Sequence, residues 1–175
     1  MLQWFALRVK SHFEKSVAAA AHQKGFEEFL PLYQSRHNWS DRSKSLEVPL
    51  FPGYVFCRLE ADRRFPLLTI PGVVHLVSTG KTPVTVDDVE ISAIQNAIRS
   101  RLRVEPCPFV ESGNQVRLGS GPLDGLDGFL IQVGKQHRFV VNLSALRRAV
   151  AVDIEREWVE SAIPSASVAT TAAAT

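Results

Sequence analysis

The pattern of apolar residues changes near residue 100, and this change limits more than any other feature what the chain can fold into. Before it, strand-like apolar runs alternate with segments whose apolar residues recur with the period of a helix. After it come only short strand-like segments separated by turn residues. The boundary carries two prolines, which stiffen a connecting segment. We therefore predict a first domain at 1–100, a linker at 101–109 and a second domain at 110–160.

The first 100 residues predict an α+β domain, in which an antiparallel sheet carries its flanking helices on one side. A helix at 12–24 begins with Ser11 as N-cap and Glu14 at the capping-box spacing, and Gly25 ends it. A second long helix follows the capping segment 85–88 and runs to about residue 100. The remaining predicted elements are strands at 2–9, 27–36, 49–59 and 73–77, a polar hairpin tip at 37–46 and a short helix at 62–70.

The second domain is predicted to be a small all-β barrel. Its glycine-rich run, GSGPLDGLDG at 119–128, lacks the spacing of a phosphate-binding loop and is followed by a strand-like segment, so it indicates a tight turn. The alanine- and serine-rich segment 161–175 is predicted to be a disordered tail. The predicted strands lie at 115–119, 128–134, 137–143, 148–153 and 157–159.

Several classes of function find no support in the sequence. Cys57 and Cys107 stand fifty positions apart, and the five histidines are scattered, so we expect neither a metal site nor a cofactor. The sequence brings together no nucleophile, base and orienting group, so we expect no enzyme. A net charge of +2 provides no overall attraction to nucleic acid. Without a membrane-spanning apolar run or a signal sequence, we expect a cytoplasmic protein with no membrane partner.

Aromatic residues provide the first candidate site. Trp4, Phe5, Phe51, Tyr54 and Phe56 lie on two predicted strands, and Tyr54 and Phe56 share one face of theirs. Such residues are more often core than binding surface. If the sheet is covered on one face only, however, an exposed aromatic patch would mark a partner site. The sequence leaves open which face each set occupies.

Basic residues provide the second candidate site. Arg8 and Lys10 lie near the end of the first strand, and Lys15 and Lys24 lie on the first helix. Solvated charges around an amphipathic helix are the simpler interpretation. The functional alternative is a patch that follows the phosphates of a nucleic acid.

The chain resembles the NusG family of transcription elongation factors in four segments that occur in the family's order. These are WFALRVKSHFEKSVAAAAHQKGFEEFLP at the start, PLFPGYVFCRL, IPGVVHLVSTGKTPVTVDDVEISAI, and FVESGNQVRLGSGPLDGLDGFL, which is similar to the KOW motif. The resemblance implies a NusG-type N-terminal domain followed by a KOW domain with an SH3-like barrel. It covers roughly residues 3–160.

The resemblance also implies partners and the residues that bind them. In this family the N-terminal domain binds the clamp helices of the largest RNA polymerase subunit, and lies near the non-template DNA strand. The KOW domain binds a small-subunit ribosomal protein or the termination factor Rho. We expect a monomer that reduces pausing or termination. The matching residues are Trp4, Phe51, Pro52, Tyr54 and Phe56 for polymerase, Arg8, Lys10 and Lys24 for DNA, and Leu143 and Leu146 for the KOW partner.

One loop of the KOW motif departs from the general pattern of the family. Where a Phe-Gly-Arg set is usual, this chain has Leu146-Arg147-Arg148. Glycine tolerates a positive φ far better than arginine, so the departure argues against contact with Rho. The stretches PLFPGYVF and VNLSAL also resemble specialised paralogues such as RfaH, so the sequence favours a specialised antitermination factor over the general one. An RNA- or ribosome-binding KOW module that acts without polymerase is the alternative.

Overall fold

The computed structural model of the protein describes residues 1–39 and 42–163. In its first part the elements are, in chain order, β1 (Gln3–Val9), α1 (Glu14–Gln23), β2 (Glu27–Phe29), β3 (Leu32–Trp39), β4 (Arg42–Pro49), β5 (Tyr54–Leu59), α2 (Phe65–Leu68), β6 (Val73–Leu76), β7 (Ser78–Thr79), β8 (Thr82–Pro83), β9 (Thr85–Val86) and α3 (Asp88–Arg99). The second part contains β10 (Val104–Pro108), β11 (Asn114–Leu118), β12 (Asp127–Val133), β13 (Gln136–Leu143), β14 (Arg148–Ile154) and β15 (Val159–Ala162). Turns of 3-10 helix lie at Ala61–Arg63, Ser144–Leu146 and Arg156–Trp158.

The N-terminal sheet has the strand order β2-β5-β1-β6, and β9 also pairs with β1. All of these pairs are antiparallel. The register of β1 against β5 runs from Gln3 opposite Leu59 to Arg8 opposite Tyr54. Strands β3 and β4 form a separate two-stranded hairpin. The N-terminal part therefore has the predicted α+β character.

Both faces of the N-terminal sheet are covered. One face packs against α1 and α2 in a buried cluster that includes Phe5, Leu7 and Val17. On the other face, Trp4 and Phe56 belong to a buried cluster that extends into α3 and the C-terminal strands. The predicted placement of all helices on one side is therefore wrong. β1 is apolar on both of its faces, so each face needs a cover.

The C-terminal sheet is antiparallel, with the order β10-β14-β13-β12-β11-β15. On one face of this sheet, side chains that include Phe139, Val141 and Val152 belong to the large buried cluster that also contains Trp4 and Phe56. On the other face, side chains that include Val140 form a smaller buried cluster. A Cβ at Gly128 would lie 2.6 Å from the Val140 carbonyl oxygen, so only glycine allows β12 and β13 to approach this closely. The predicted all-β domain is confirmed.

The segment predicted as a linker instead contributes a strand. Pro106 lies opposite Val150 and Pro108 opposite Arg148, as β10 pairs with β14. β10 is the edge strand of its sheet, where a proline that lacks an N–H is tolerated because that position faces away from the neighbour. The connection between α3 and the C-terminal sheet is therefore limited to residues 100–103.

Other boundaries differ in smaller ways. The predicted strand at 27–36 is divided between β2 and β3, and most of the predicted hairpin tip at 37–46 belongs to β3 and β4, while residues 40 and 41 lie outside the described residues. The predicted short helix is a 3-10 turn followed by α2. Residues 161 and 162 of the predicted tail belong to β15, and 164–175 lie outside the described residues. Among the described helices, none has the length and apolar character needed to cross a membrane.

Candidate partner-binding interface

Four aromatic rings pack together on the face of the N-terminal sheet that is directed towards the C-terminal sheet. The rings of Phe51 and Phe56 meet edge-to-face, with centroids 5.7 Å apart. Phe29 lies 6.2 Å from Phe56 and 6.5 Å from Trp4. Aromatic pairs in such arrangements contribute about 0.5–1.5 kcal/mol each beyond the area that they bury. We call these residues, Trp4, Phe29, Phe51 and Phe56, the aromatic cluster.

The structure brings together the predicted polymerase-binding residues but does not leave them all accessible. Phe51 is 1% exposed, Phe56 0% and Trp4 4%. Tyr54 is partly buried against the large apolar cluster that contains these rings, and Pro52 is exposed. Side chains of the C-terminal sheet belong to the large buried cluster that contains these rings, so the second half of the chain covers the aromatic face.

The turn between Phe51 and Tyr54 is fixed by a buried carboxylate. Gly53 has φ +82°, and its N–H donates a hydrogen bond of 2.9 Å to Glu14 Oε1. Its carbonyl accepts a hydrogen bond of 2.8 Å from the Val9 N–H. A Cβ at Gly53 would collide with the Arg8 guanidinium. The turn therefore favours glycine for its backbone conformation, and a side chain there would also push the flexible end of Arg8 aside.

Glu14 has a different role from the one that its spacing predicted. The capping-box interpretation placed Ser11 at the N-cap of the helix, but the N-cap position is Phe13, and within the described residues no side chain provides the cap hydrogen bond. Glu14 instead reaches the turn at Gly53. Sequence reasoning missed this contact because the two residues are 39 positions apart.

Tyr54 lies between two arginines. The Arg8 guanidinium carbon lies 5.0 Å from the centroid of the Tyr54 ring, and that of Arg148 lies 5.4 Å from it. Arg8 is the β1 neighbour of Tyr54, whereas Arg148 comes from β14 of the C-terminal sheet. Both are cation–π contacts, worth about 0.5–1 kcal/mol each where solvent reaches them. One aromatic residue thus contacts a cation from each half of the chain.

The three predicted DNA-contacting residues do not form one cluster. Lys10 and Lys24 are exposed, but they lie beyond opposite ends of α1. The ten residues of that helix separate them by roughly 15 Å. Arg8 is partly buried beside Tyr54. Any phosphate contacts of these residues would therefore lie at separate points.

The predicted KOW-partner residues face the N-terminal part. Leu143 is fully buried, and Leu146 is partly buried against the same apolar cluster that contains the aromatic rings. Between them, the Ser144 hydroxyl donates a hydrogen bond of 2.6 Å to Glu90 of α3. The Ser144 N–H lies 3.2 Å from both carboxylate oxygens of Glu90. Both sets of predicted partner residues therefore meet at one interface between the two halves of the chain.

Arg147 has the backbone conformation for which glycine is usual. Its φ is +49°, in the left-handed region, so arginine here adopts the conformation that glycine tolerates far better. Its guanidinium lies 4.8 Å from the centroid of the Phe109 ring and pairs with Glu111. These contacts offset part of the cost of the strained backbone, about 1–2 kcal/mol.

An ionic network attaches β10 to the rest of the C-terminal sheet. The Arg138 side chain donates to Glu105 at 2.9 Å and to Asp153 at 2.8 Å. The hydrogen bond from Arg138 lowers the pKa of Glu105, although burial opposes the shift, and Arg103 adds to it. Glu105 therefore remains ionised at lower pH than an isolated glutamate would, and β10 is held by charge as well as by its ladder.

The described residues offer little for covalent or metal chemistry. Burial, reinforced by the charge of Glu28, raises the pKa of the Cys57 thiol to about 12, so the reactive thiolate is scarce at neutral pH. Within 1–39 and 42–163, no three His, Cys, Asp or Glu side chains come together as a metal site would require.

Comparison with known proteins agrees with this architecture. A family model described as "Transcription termination factor nusG" matches residues 2–95. The chain is 24% identical to the transcription termination/antitermination protein NusG of Helicobacter pylori, over 93% of this chain and 100% of the relative. It is 27% identical to that of Pasteurella multocida, over 90% and 94%. A solved structure described as "Domain interaction in Thermotoga maritima NusG" shares the fold, with a TM-score of 0.56 and 21% identity over 91% of this chain and 97% of that one.

Proposed function

The chain belongs to the NusG family of transcription termination and antitermination factors, and on that premise we propose that it binds RNA polymerase and reduces pausing or termination. The proposed domains are a NusG-type domain at 1–100 and a KOW domain at 110–160, to whose sheet the preceding segment contributes β10, and the chain would act as a monomer in the cytoplasm. The factor makes and breaks no bond and needs no cofactor. It acts by binding the elongating form of the polymerase more tightly than the paused form, which shifts the population.

The proposed polymerase site is the face that carries the aromatic cluster. Tyr54 and Pro52 lie at its accessible edge, and Phe51, Phe56 and Trp4 support them from below. The single observation that carries this proposal is the packing of these rings on one sheet face in a member of this family. An apolar face of this kind suits the clamp helices of the largest polymerase subunit, because helices dock in grooves through spaced apolar anchors.

Two further contacts belong to the proposal. Arg8, Lys10 and Lys24 would contact phosphates of the non-template DNA strand at separate points, so each would add to affinity without reading sequence. Leu143 and Leu146 would bind a small-subunit ribosomal protein through the KOW domain, and contact with Rho is the less favoured choice. The stretches PLFPGYVF and VNLSAL support a specialised, RfaH-like factor.

Binding to purified core RNA polymerase tests the proposal. The Tyr54→Ala variant should lose at least about tenfold in affinity, because aromatic anchors dominate such interfaces. Tyr33→Ala is the matched control, since Tyr33 is also a partly buried tyrosine packed against the large cluster but lies on the hairpin. Circular dichroism would verify that both variants are folded. Equal binding by a folded Tyr54→Ala variant and the wild type would contradict the proposed site.

The alternative function is RNA or ribosome binding without polymerase. It is favoured by a polar cleft of about 220 Å³ on the C-terminal sheet, which is lined by side chains that can bond bases and phosphates, including Asn114, Gln132, His137 and Arg156. If this alternative is correct, the wild-type chain does not bind polymerase. It binds RNA instead, with an affinity that falls steeply as the salt concentration rises.

A further inference from the structure

We propose that the open edge of β3 is a docking site for an extended segment of a partner protein, in which acidic side chains alternate with apolar ones. The segment would add a third strand to the β3–β4 hairpin. In this mode of binding, main-chain hydrogen bonds provide affinity and alternate side chains provide specificity. The inference goes beyond the proposed function, because it concerns a surface separate from the aromatic cluster.

The main-chain groups on one edge of β3 are open to a further strand. Among the described strands, β3 pairs with β4 alone. The Leu50 N–H donates a hydrogen bond of 2.9 Å to the Pro31 carbonyl, one register step before the ladder begins. In an antiparallel pair, every second residue exchanges hydrogen bonds with its partner and the residues between point the other way. Counting from Pro31, the N–H and C=O groups of Leu32, Gln34 and Arg36 therefore point away from β4.

A groove of about 1050 Å³ runs along this edge. Residues 32–36 and Glu47 line one side of it, and Ile98 and residues 101–106 line the other. Small-molecule pockets usually measure about 300–1,000 Å³, so this groove has room for several residues of an extended chain. Residues 32–36 alone present roughly 17 Å of strand to an occupant, at about 3.4 Å per residue.

One wall of the groove is apolar. Tyr33, Ile98 and Leu102 line the groove, and each is partly buried against the large buried cluster. Every second side chain of an added strand would lie on the Tyr33 face of the hairpin, against this wall. These positions of the partner segment should therefore be apolar.

The charge of the groove favours acidic side chains in the other row. Arg36 is exposed on the face of β3 opposite the apolar wall, and Arg101 is exposed across the groove. Arg103 also lines the groove, but it is already paired with Glu105. Glu47 is the second carboxylate of the lining. Three cations against two carboxylates leave the groove positive, which attracts an acidic segment.

The backbone at Arg101 is an independent indication of a binding role. Its φ is +58°, a conformation that glycine adopts without strain. It follows Ser100, the C-cap of α3, at the position where helices commonly end with glycine. The chain thus carries a cation where glycine would be more stable, and strained residues of this kind cluster at binding sites.

Charge also distinguishes between the possible occupants. Residues 164–175, PSASVATTAAAT, contain no acidic residue, so the chain's own C-terminal segment lacks the required pattern. A second copy of β3 would contribute another Arg36 and no carboxylate, and like charges on neighbouring strands weaken their pairing. The groove therefore fits a segment of a different protein.

A short peptide in which valine and glutamate alternate, with both ends blocked, is the probe. Its binding to the full chain is measured by fluorescence anisotropy, beside a control peptide in which lysine replaces glutamate. We expect saturable binding of the acidic peptide that weakens as the salt concentration rises. The lysine peptide should bind at least about tenfold more weakly, because it faces cations of its own sign.

Amide hydrogen exchange, followed by NMR, locates the bound peptide. The amides of Leu32, Gln34 and Arg36 should exchange rapidly in the free chain and slowly with the peptide, because the added strand accepts their hydrogen bonds. The amides of Tyr33 and Ser35 already donate to β4, so the peptide should change their exchange little.

A proline on each edge of the hairpin tests the main-chain contact. Gln34→Pro removes an outward N–H without removing a bond to β4, and should weaken peptide binding at least about tenfold. Ser45→Pro is the matched control, because Ser45 lies opposite Arg36 and its N–H points outward on the far edge of β4. It should leave peptide binding unchanged. Circular dichroism would verify that both variants are folded.

Substitution of the arginines tests the charge. Arg36→Gln combined with Arg101→Gly should weaken binding of the acidic peptide about tenfold, since two partly exposed ion pairs are lost. Glycine suits the backbone at position 101, so this variant should remain folded. Arg99→Gln is the control, because Arg99 is an exposed arginine of α3 that does not line the groove.

Three results would overturn the proposal. The first is no saturable binding of the acidic peptide, or binding that leaves the Leu32, Gln34 and Arg36 amides unprotected. The second is binding of single-stranded RNA, but not of the peptide, that depends on Arg36 and Arg101, since it would assign the groove to nucleic acid. The third is protection of the same amides that rises with protein concentration in the absence of peptide, since it would assign the edge to a second copy of the chain.

Discussion

The Glu14 carboxylate, only 7% exposed, accepts a hydrogen bond from the Gly53 N–H at 2.9 Å and so joins the start of α1 to the turn before β5. A buried polar group without its partner costs far more than the bond itself contributes. This contact sets the position of Tyr54, the next residue along the chain. The shape of the candidate polymerase site therefore depends on a buried residue that lies outside the aromatic cluster.

Replacing Glu14 should lower the stability of the protein. We expect Glu14→Ala to reduce the free energy of unfolding by about 1–3 kcal/mol, because it leaves the Gly53 N–H without its acceptor. Glu14→Gln should cost less, since an amide oxygen can still accept the bond. Urea denaturation measures both, with the exposed neighbour Lys15→Ala as control. If Glu14→Ala were as stable as Lys15→Ala, the buried contact would not contribute to the fold.

Gly53→Ala should lower the free energy of unfolding more than Gly25→Ala does. The two glycines have nearly the same φ, +82° and +83°, so alanine carries the same backbone strain of about 1–2 kcal/mol at either position. A Cβ at Gly25 would meet no described atom within 4 Å, whereas one at Gly53 would collide with Arg8. The Arg8 guanidinium can move aside, so the difference in the free energy of unfolding between Gly53→Ala and Gly25→Ala should be about 0.5–1 kcal/mol, from the lost contact of Arg8 with Tyr54.

The collision at Gly53 can also be relieved. In an Arg8→Ala background, Gly53→Ala and Gly25→Ala should cost nearly the same, because only the backbone strain remains. An excess cost at Gly53 that persisted without the Arg8 side chain would assign it to the backbone rather than to the guanidinium.

The ionic network around Arg138 should make stability depend on pH in the acid range. The pKa of Glu105 in the folded protein is lowered from its ordinary value of 4.5, mainly by the hydrogen bond from Arg138. Its contribution to stability is therefore fully present above the unfolded value and is lost as pH falls through the folded value. We expect Glu105→Gln to be less stable at pH 7 by about 0.5–1 kcal/mol, since the pair is partly exposed.

Urea denaturation at pH 7 and pH 3 checks this expectation. The wild type and Glu105→Gln should differ in stability at pH 7 and converge at the lower pH. Glu111→Gln provides a control at an exposed carboxylate. A difference between wild type and Glu105→Gln that stayed constant with pH would indicate that the side chain acts through packing and not through its charge.

Local patterns predicted most of the elements. Alternating apolar residues identified the C-terminal strands, and Asp87, an extended residue whose side chain accepts from the Val89 N–H, marked the start of α3. These features depend on residues close together in sequence. The linker prediction at 101–109 was wrong for the same reason. Considered locally, Pro106 and Pro108 indicate a stiff connection, and only the pairing of β10 with β14 shows that they belong to an edge strand.

The candidate interface was predicted only in part. Family resemblance selected Phe51, Tyr54 and Phe56, but the sequence left open which face they occupy. The answer depends on Arg148 and on Leu143, residues of the other half of the chain. Contacts between halves are set by the packing of whole sheets, and no short pattern encodes them. Glu90 lies in the first turn of α3, where a carboxylate suits the helix dipole, and no local pattern indicates that it also accepts from Ser144.

The two prolines of β10 have one more consequence. An edge strand with unpaired N–H groups can recruit a strand from another molecule and so begin aggregation. Glu105 and Cys107 alternate with Pro106 and Pro108 along β10, and the prolines have no N–H to offer to such a strand. The β10 edge of this sheet is thereby protected from edge-to-edge growth with a second copy of the chain.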